Sequence, residues 1–147
     1  MKNKDRSNLF DFFMDKCGEH NLKMTPQRVL IYKELVRSKD HPNADVVFRR
    51  VKKTFPNISF DTVNRTLLTF SKIGVISVVE GYCKSKRFDP NMEEHHHFRC
   101  MKCSSITDFH NRYFDNIKIP DELKQQFNVL NKRVVLEGIC KRCSKEE

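Results

Sequence analysis

His95-His96-His97-Phe98-Arg99-Cys100-Met101-Lys102-Cys103 puts three histidines and a Cys-x-x-Cys within nine residues. A second Cys-x-x-Cys, Cys140 and Cys143, stands near the end of the sequence. Two such pairs supply four thiolates, the number a tetrahedral structural zinc site uses. The short spacer lets each pair clamp one side of an ion, and the second pair brings the C-terminal segment back to the first. A disulfide or redox role would use the same residues. One Cys-x-x-Cys is a weak signal for zinc; two are a strong one.

Outward from this stretch, the 147 residues carry a net charge of +9, unevenly spread. Residues 1–90 hold 18 Lys/Arg against 10 Asp/Glu, while residues 91–147 hold 10 against 9. A basic N-terminal part joined to a near-neutral metal part points to a polyanionic partner at one end. No apolar run is long enough to span a bilayer, and the charged N-terminus lacks the apolar core of a signal peptide. The expected location is the cytoplasm, where paired cysteines more often hold metal than form disulfides.

The N-terminal part reads as helices. Leu9, Phe12, Phe13 and Cys17 fall at helical spacing, with an end near Gly18 to Asn21. Thr25 and Pro26 start a second helix as N-cap and first residue, with Val29, Tyr32, Leu35 and Val36 as its apolar stripe. His41-Pro42 interrupts, and Asn43 caps a third helix carrying Ala44, Val47, Phe48, Val51 and Phe55. Pro56 ends it. Ser59 or Asp61 caps a fourth, with Val63, Leu67, Phe70 and Ile73 inward and Gly74 as its stop. Asp61, Arg65 and Lys72 face outward. A short turn between two amphipathic helices, the second bearing an outward arginine, fits a helix-turn-helix. An ordinary helical bundle would also show polar outer faces. Val75–Val79, a turn at Glu80-Gly81 and a return strand at Lys86-Arg87-Phe88 complete a winged helix. Asp89-Pro90-Asn91 reads as a hinge.

Beyond the hinge the pattern turns to strands. In a strand His95 and His97 share one face, opposite His96 and Phe98. Ile106–Phe109 is a second strand, Asp121–Phe127 a short helix after Pro120, and Val129–Ile139 a long strand with Leu130, Val134 and Leu136 on one side. A part of about 56 residues buries too little apolar surface to be stable alone. Zinc supplies one staple, and a partner subunit on the sheet would supply another.

Taken in order, Thr25-Pro26-Gln27-Arg28, His41-Pro42-x-Ala44-Asp45, Thr62-Val63-x-Arg65-x-Leu67, Phe88-Asp89, His95-His96-His97 and the two cysteine pairs resemble the ferric uptake regulator family over nearly the whole chain. The resemblance implies an α+β protein: a winged helix-turn-helix domain over 1–88, a hinge over 89–93, and an α/β dimerisation domain over 94–147. It implies a homodimeric, metal-dependent repressor reading a palindromic DNA site, with no membrane partner. Matching positions for the regulatory metal are His41, Asp89, His95, His97 and Asp108, beside the structural zinc on Cys100, Cys103, Cys140 and Cys143. Imidazoles and carboxylates suit a divalent first-row metal such as iron, manganese or zinc, and the expected regulatory ion is Fe2+ or Mn2+. Five ligands would leave one position open on a metal that prefers six.

Asp108 resembles the peroxide-sensing branch, in which iron and hydrogen peroxide oxidise a histidine ligand; the matching residues are His41 and His95. Iron or zinc sensing is the alternative within the family, the latter kept open by Cys83. DNA contacts carried over are Lys23, Thr62, Asn64 and Arg65. The family usually has Tyr where Asn64 stands, which implies an altered operator contact. Lys132 occupies the place of a histidine used for an auxiliary metal in many members, so no such site is expected. His20, His110 and His96 read as structural or surface histidines, and Cys17 as packing. Outside the family, two histidines and one aspartate also match non-haem iron oxygenases. The 147 residues are few for such a barrel, and a regulator is the expected class, not an enzyme.

Overall fold

The computed structural model describes residues 3–79 and 85–145, with side chains from residue 8. The expected turn at Glu80-Gly81 and Cys83 lie outside the described residues. The chain divides into two compact units, Met1–Met92 and Glu93–Glu147.

The first unit holds α1 (Asn3–Glu19), α2 (Pro26–Arg37), α3 (Ala44–Lys52) and α4 (Phe60–Lys72), then β1 (Ser77–Val79) and β2 (Arg87–Asp89). Three helices open on side-chain caps. Thr25 accepts from the Arg28 N–H at 3.3 Å, Asn43 from Val46 at 3.0 Å and Ser59 from Thr62 at 3.1 Å, each satisfying an amide the helix cannot. Ser59, not Asp61, caps α4. Its end is set by Gly74 at φ 76°. The Val75 N–H reaches the Phe70 carbonyl at 2.9 Å and the Gly74 N–H reaches Ser71 at 3.2 Å, the paired bonds that close a helix through a left-handed residue. α1 ends the same way one turn past Gly18: Asn21 takes φ 51° and Leu22 donates to the Cys17 carbonyl at 2.8 Å.

Phe55, expected on the third helix, lies beyond it. The residue before Pro56 is pushed out of helical φ/ψ, so α3 stops at Lys52 and Phe55 packs from the following turn. The core is aromatic at its centre. Phe13 stacks on Tyr32 with ring centres 4.0 Å apart, and Phe70 meets Phe13 edge-on at 5.3 Å. The buried Tyr32 hydroxyl donates to the Leu9 carbonyl at 2.8 Å. β1 and β2 pair antiparallel, Val78 opposite Phe88, as the wing. β2 runs through Asp89, so this residue is fixed in the ladder of the first unit.

The second unit holds β3 (His96–Cys100), β4 (Ile106–Phe109), α5 (Arg112–Asp115), α6 (Asp121–Gln126), β5 (Val135–Gly138) and α7 (Lys141–Ser144). The sheet order is β4-β3-β5, with β4 antiparallel and β5 parallel to β3. The long strand expected over Val129–Ile139 is short. β3 begins at His96, so the segment before Val134 has no ladder partner among the described residues; Leu130 is 88% exposed. Gly138 sits where an added Cβ would lie 3.3 Å from the Phe98 ring, letting β5 approach β3 closely. No helix among the described residues is long and apolar enough to cross a membrane.

Candidate metal centres

Four sulfurs converge in the second unit. Cys100 ends β3, Cys103 lies in the following turn, where Ser104 takes φ 58°, and Cys140 and Cys143 flank the start of α7. Ligand atoms of all four lie within 4.8 Å of one another, and the Cys103 and Cys140 sulfurs are 3.9 Å apart. Tetrahedral zinc with Zn–S near 2.3 Å has sulfur–sulfur edges of about 3.8 Å. The spacing therefore fits zinc and is far too long for a disulfide.

Local donors prepare the thiolates. The Ser105 hydroxyl, 3.1 Å away, and its backbone lower the Cys103 thiol to about 5. Backbone N–H groups of Cys103 and Cys140 lower Cys100. Burial, reinforced by the neighbouring thiols, pushes Cys143 up to about 12. Without a cation the cluster would keep Cys143 protonated; a divalent ion takes the place of that proton.

A second cluster in this unit is made of nitrogen and oxygen. His97 stands opposite Asp108 in the β3–β4 ladder, which puts both side chains on one face. His95, just ahead of β3, adds its ring to that face. The Nε2 atoms of His95 and His97 are 3.0 Å apart, and Asp108 Oδ1 lies 3.7 and 3.4 Å from them. His95 Nδ1 is 2.7 Å from the Glu93 carbonyl. A carbonyl can only accept, so Nδ1 carries the proton and Nε2 keeps its lone pair toward the cluster. Both histidines are buried while Asp108 is 34% exposed. The group fits a first-row divalent ion by donor type.

The first unit brings together another two of the expected ligands. His41 Nε2 lies 3.5 Å from Asp89 Oδ2, and both side chains are buried. The loop before α3 is zipped onto the wing: Phe88 N–H donates to the Pro42 carbonyl at 3.1 Å, and Asn43 bridges Arg87. Asp89 Oδ1 accepts the Asn91 N–H at 2.8 Å.

His96 turns to the opposite face, as its place in the alternation predicts. Its Nδ1 accepts from the Val134 N–H at 3.3 Å, which leaves Nε2 to donate to Asp115 at 2.8 Å. Phe109 and Phe114 flank it. The Lys132 ammonium donates to the Asp115 and Ile117 carbonyls. Ser105, Glu93, Asp115 and Arg87 were not singled out as site residues. Glu93 acts through its carbonyl, Ser105 through its hydroxyl, Asp115 through its carboxylate and Arg87 through its backbone, contacts that no spacing rule marks.

Of the expected nucleic-acid contacts, Arg65 and Thr62 are exposed on α4, Asn64 is half-buried beside them, and Lys23 is exposed before α2. Arg65 pairs with Asp61 at 3.2 Å with both side chains mostly in solvent. Such a pair is weak and easily exchanged.

A profile of the ferric uptake regulator family matches residues 19–137. The peroxide-responsive repressor PerR of Staphylococcus epidermidis is 35% identical over 125 residues, which is 85% of this chain and 83% of that protein. The crystal structure of the Campylobacter jejuni peroxide stress regulator is similar at 31% identity and a TM-score of 0.67, covering 88% of this chain and 98% of its own. The Helicobacter pylori ferric uptake regulator Fur shares the fold at a TM-score of 0.76 and 23% identity, covering 94% and 93%. On the family profile and the identity to these relatives, the chain belongs to the ferric uptake regulator family.

Proposed function

We propose that this chain is a DNA-binding repressor that works as a homodimer, holds structural zinc on four thiolates, and senses hydrogen peroxide through a second metal. The observation that carries the reading is the separation of donor types between the two ends of the β3–β4 hairpin: sulfur at Cys100 and Cys103, imidazole and carboxylate at His95, His97 and Asp108. Soft thiolates select zinc, and the nitrogen–oxygen set suits Fe2+ or Mn2+.

In this reading His41 and Asp89 join His95, His97 and Asp108 around one ion. A site drawing ligands from both units lets metal favour one interdomain arrangement, the one that binds DNA. Peroxide responsiveness is supported by the names of the relatives above and by aspartate at position 108. Bound ferrous iron would lend the electrons that cleave peroxide and regain them from the imidazole, which is the group oxidised. The protein's part is to keep His41 and His95 near the reaction, so that one oxygen enters an imidazole C–H and the other leaves as water. A ligand so oxidised binds metal poorly. Membership in a family of regulators stands against the oxygenase reading of the same three residues.

A dimer is supported by the second unit's surface. Tyr113, Phe127, Leu130 and Ile139 are exposed by 78%, 60%, 88% and 49% in a unit of few buried apolar side chains, and such surface is costly in water. A twofold dimer would present two α4 helices to the major groove of a palindrome.

Three outcomes test this. Cys100→Ser should yield a zinc-poor, largely monomeric protein by metal analysis and sedimentation; a fully zinc-loaded dimer would refute the structural site. Arg65→Ala should lose about 1–3 kcal/mol at one base position of each half-site; an unchanged operator preference in a randomised-site selection would show that α4 is not the reader. Peroxide should add one oxygen to the peptide with His41 or that with His95 in iron-loaded protein, not in manganese-loaded protein, by mass spectrometry. If both peptides stay unmodified while iron-loaded protein remains on DNA, the chain senses iron or zinc instead.

A further inference from the structure

His41 is one of three non-glycine residues with positive φ among the described residues, the others being Asn21 and Ser104. Asn21 takes the conformation its residue type tolerates best at a helix end. Histidine visits this region more readily than most residues do, yet a left-handed backbone outside glycine persists only where its surroundings hold it. What surrounds it here is Arg87. Its Nη1 donates to the His41 carbonyl at 3.1 Å and approaches the Asp40 carbonyl at 3.5 Å. The same residue's backbone bridges Asn43, and the next residue's N–H takes the Pro42 carbonyl. Arg50 adds an outer brace, donating to Ser38 Oγ and pairing with Asp40 at 3.4 Å.

We propose that Arg87 is the positioning residue of the metal half-site in the first unit. Its guanidinium grips two successive carbonyls and holds the loop in the left-handed turn that aims His41 at Asp89. One guanidinium nitrogen faces both carbonyls, and the rigid plane that carries it fixes its direction more firmly than a lysine's flexible stem would. Arg87 is two residues from Asp89 on β2, so one short strand supplies a ligand and the clamp on its companion ligand. The clamp fixes the imidazole before any metal arrives, and partners that orient ligands in this way are worth roughly 10–100-fold in metal affinity.

The binding arm of the test rests on the regulatory-metal reading; the conformational arm does not. Mn2+ affinity of the zinc-loaded dimer, read by electron paramagnetic resonance, should fall roughly 10–100-fold in Arg87→Ala and less in Arg87→Lys. In a His41→Ala background, Arg87→Ala should cause no further loss. Without Mn2+, the His41 carbon shifts and amide coupling should report a left-handed φ in the parent and lose that signature in Arg87→Ala. The proposal is overturned if the signature survives in Arg87→Ala, or if that change weakens Mn2+ equally with and without His41. If His41→Ala alone leaves Mn2+ affinity intact, His41 is not a ligand and the site reading fails; the NMR signature then still decides whether Arg87 sets the turn.

Discussion

Four cysteine sulfurs within 4.8 Å of one another cannot all carry charge without a cation among them. Hydrogen bonds hold Cys103 low while burial holds Cys143 high, and a divalent ion resolves that opposition. The second unit depends on the resolution. Cys100 closes β3, Cys103 sits in the β3–β4 turn, and Cys140 and Cys143 follow β5, so one ion held by the four would tie together all three strands of the sheet. Backbone bonds at the same end, Met101 N–H to the Gly138 carbonyl at 2.8 Å and Cys100 N–H to Ser105 at 2.9 Å, set the geometry that the metal then locks.

The clamp also fixes what lies at the other end of the strand. Once the hairpin register is set, His97 must face Asp108, and alternation sends His96 to the far side. Only Phe98 and Arg99 thus separate His97 of the imidazole–carboxylate group from Cys100 of the thiolate group, and donor softness suits each to a different ion. The first unit owes its order to different forces: caps on three helices, and stacked aromatic rings among which Phe13 and Tyr32 are buried. Its candidate ligand His41 stands on a single loop, bonded to the wing through Arg87.

Much of this was legible in the sequence because the signals are local. N-caps Thr25, Asn43 and Ser59 lie next to the apolar periods they start, and Gly74 marks the stop it makes. Cys-x-x-Cys carries its chemistry in its spacing. What was not legible depends on contacts distant along the chain. Val129–Ile139 has the composition of a long strand, yet β3 is too short to pair with its first half. Phe55 keeps the helical period although the following proline has already ended the helix. The pairing of His41 with Asp89 came from family resemblance, not from any pattern within the chain. The Arg87 grip and the Glu93 carbonyl on His95 are backbone contacts, invisible to side-chain motifs.

The central claim is that one chain sorts two metals by donor type. Iron K-edge X-ray absorption on protein carrying one zinc and one ferrous ion per chain tests it most directly. The account predicts an iron shell of nitrogen and oxygen only, with imidazole scattering, while the zinc edge shows a sulfur shell. Sulfur in the iron shell, or loss of the zinc sulfur shell when iron is added, would contradict it.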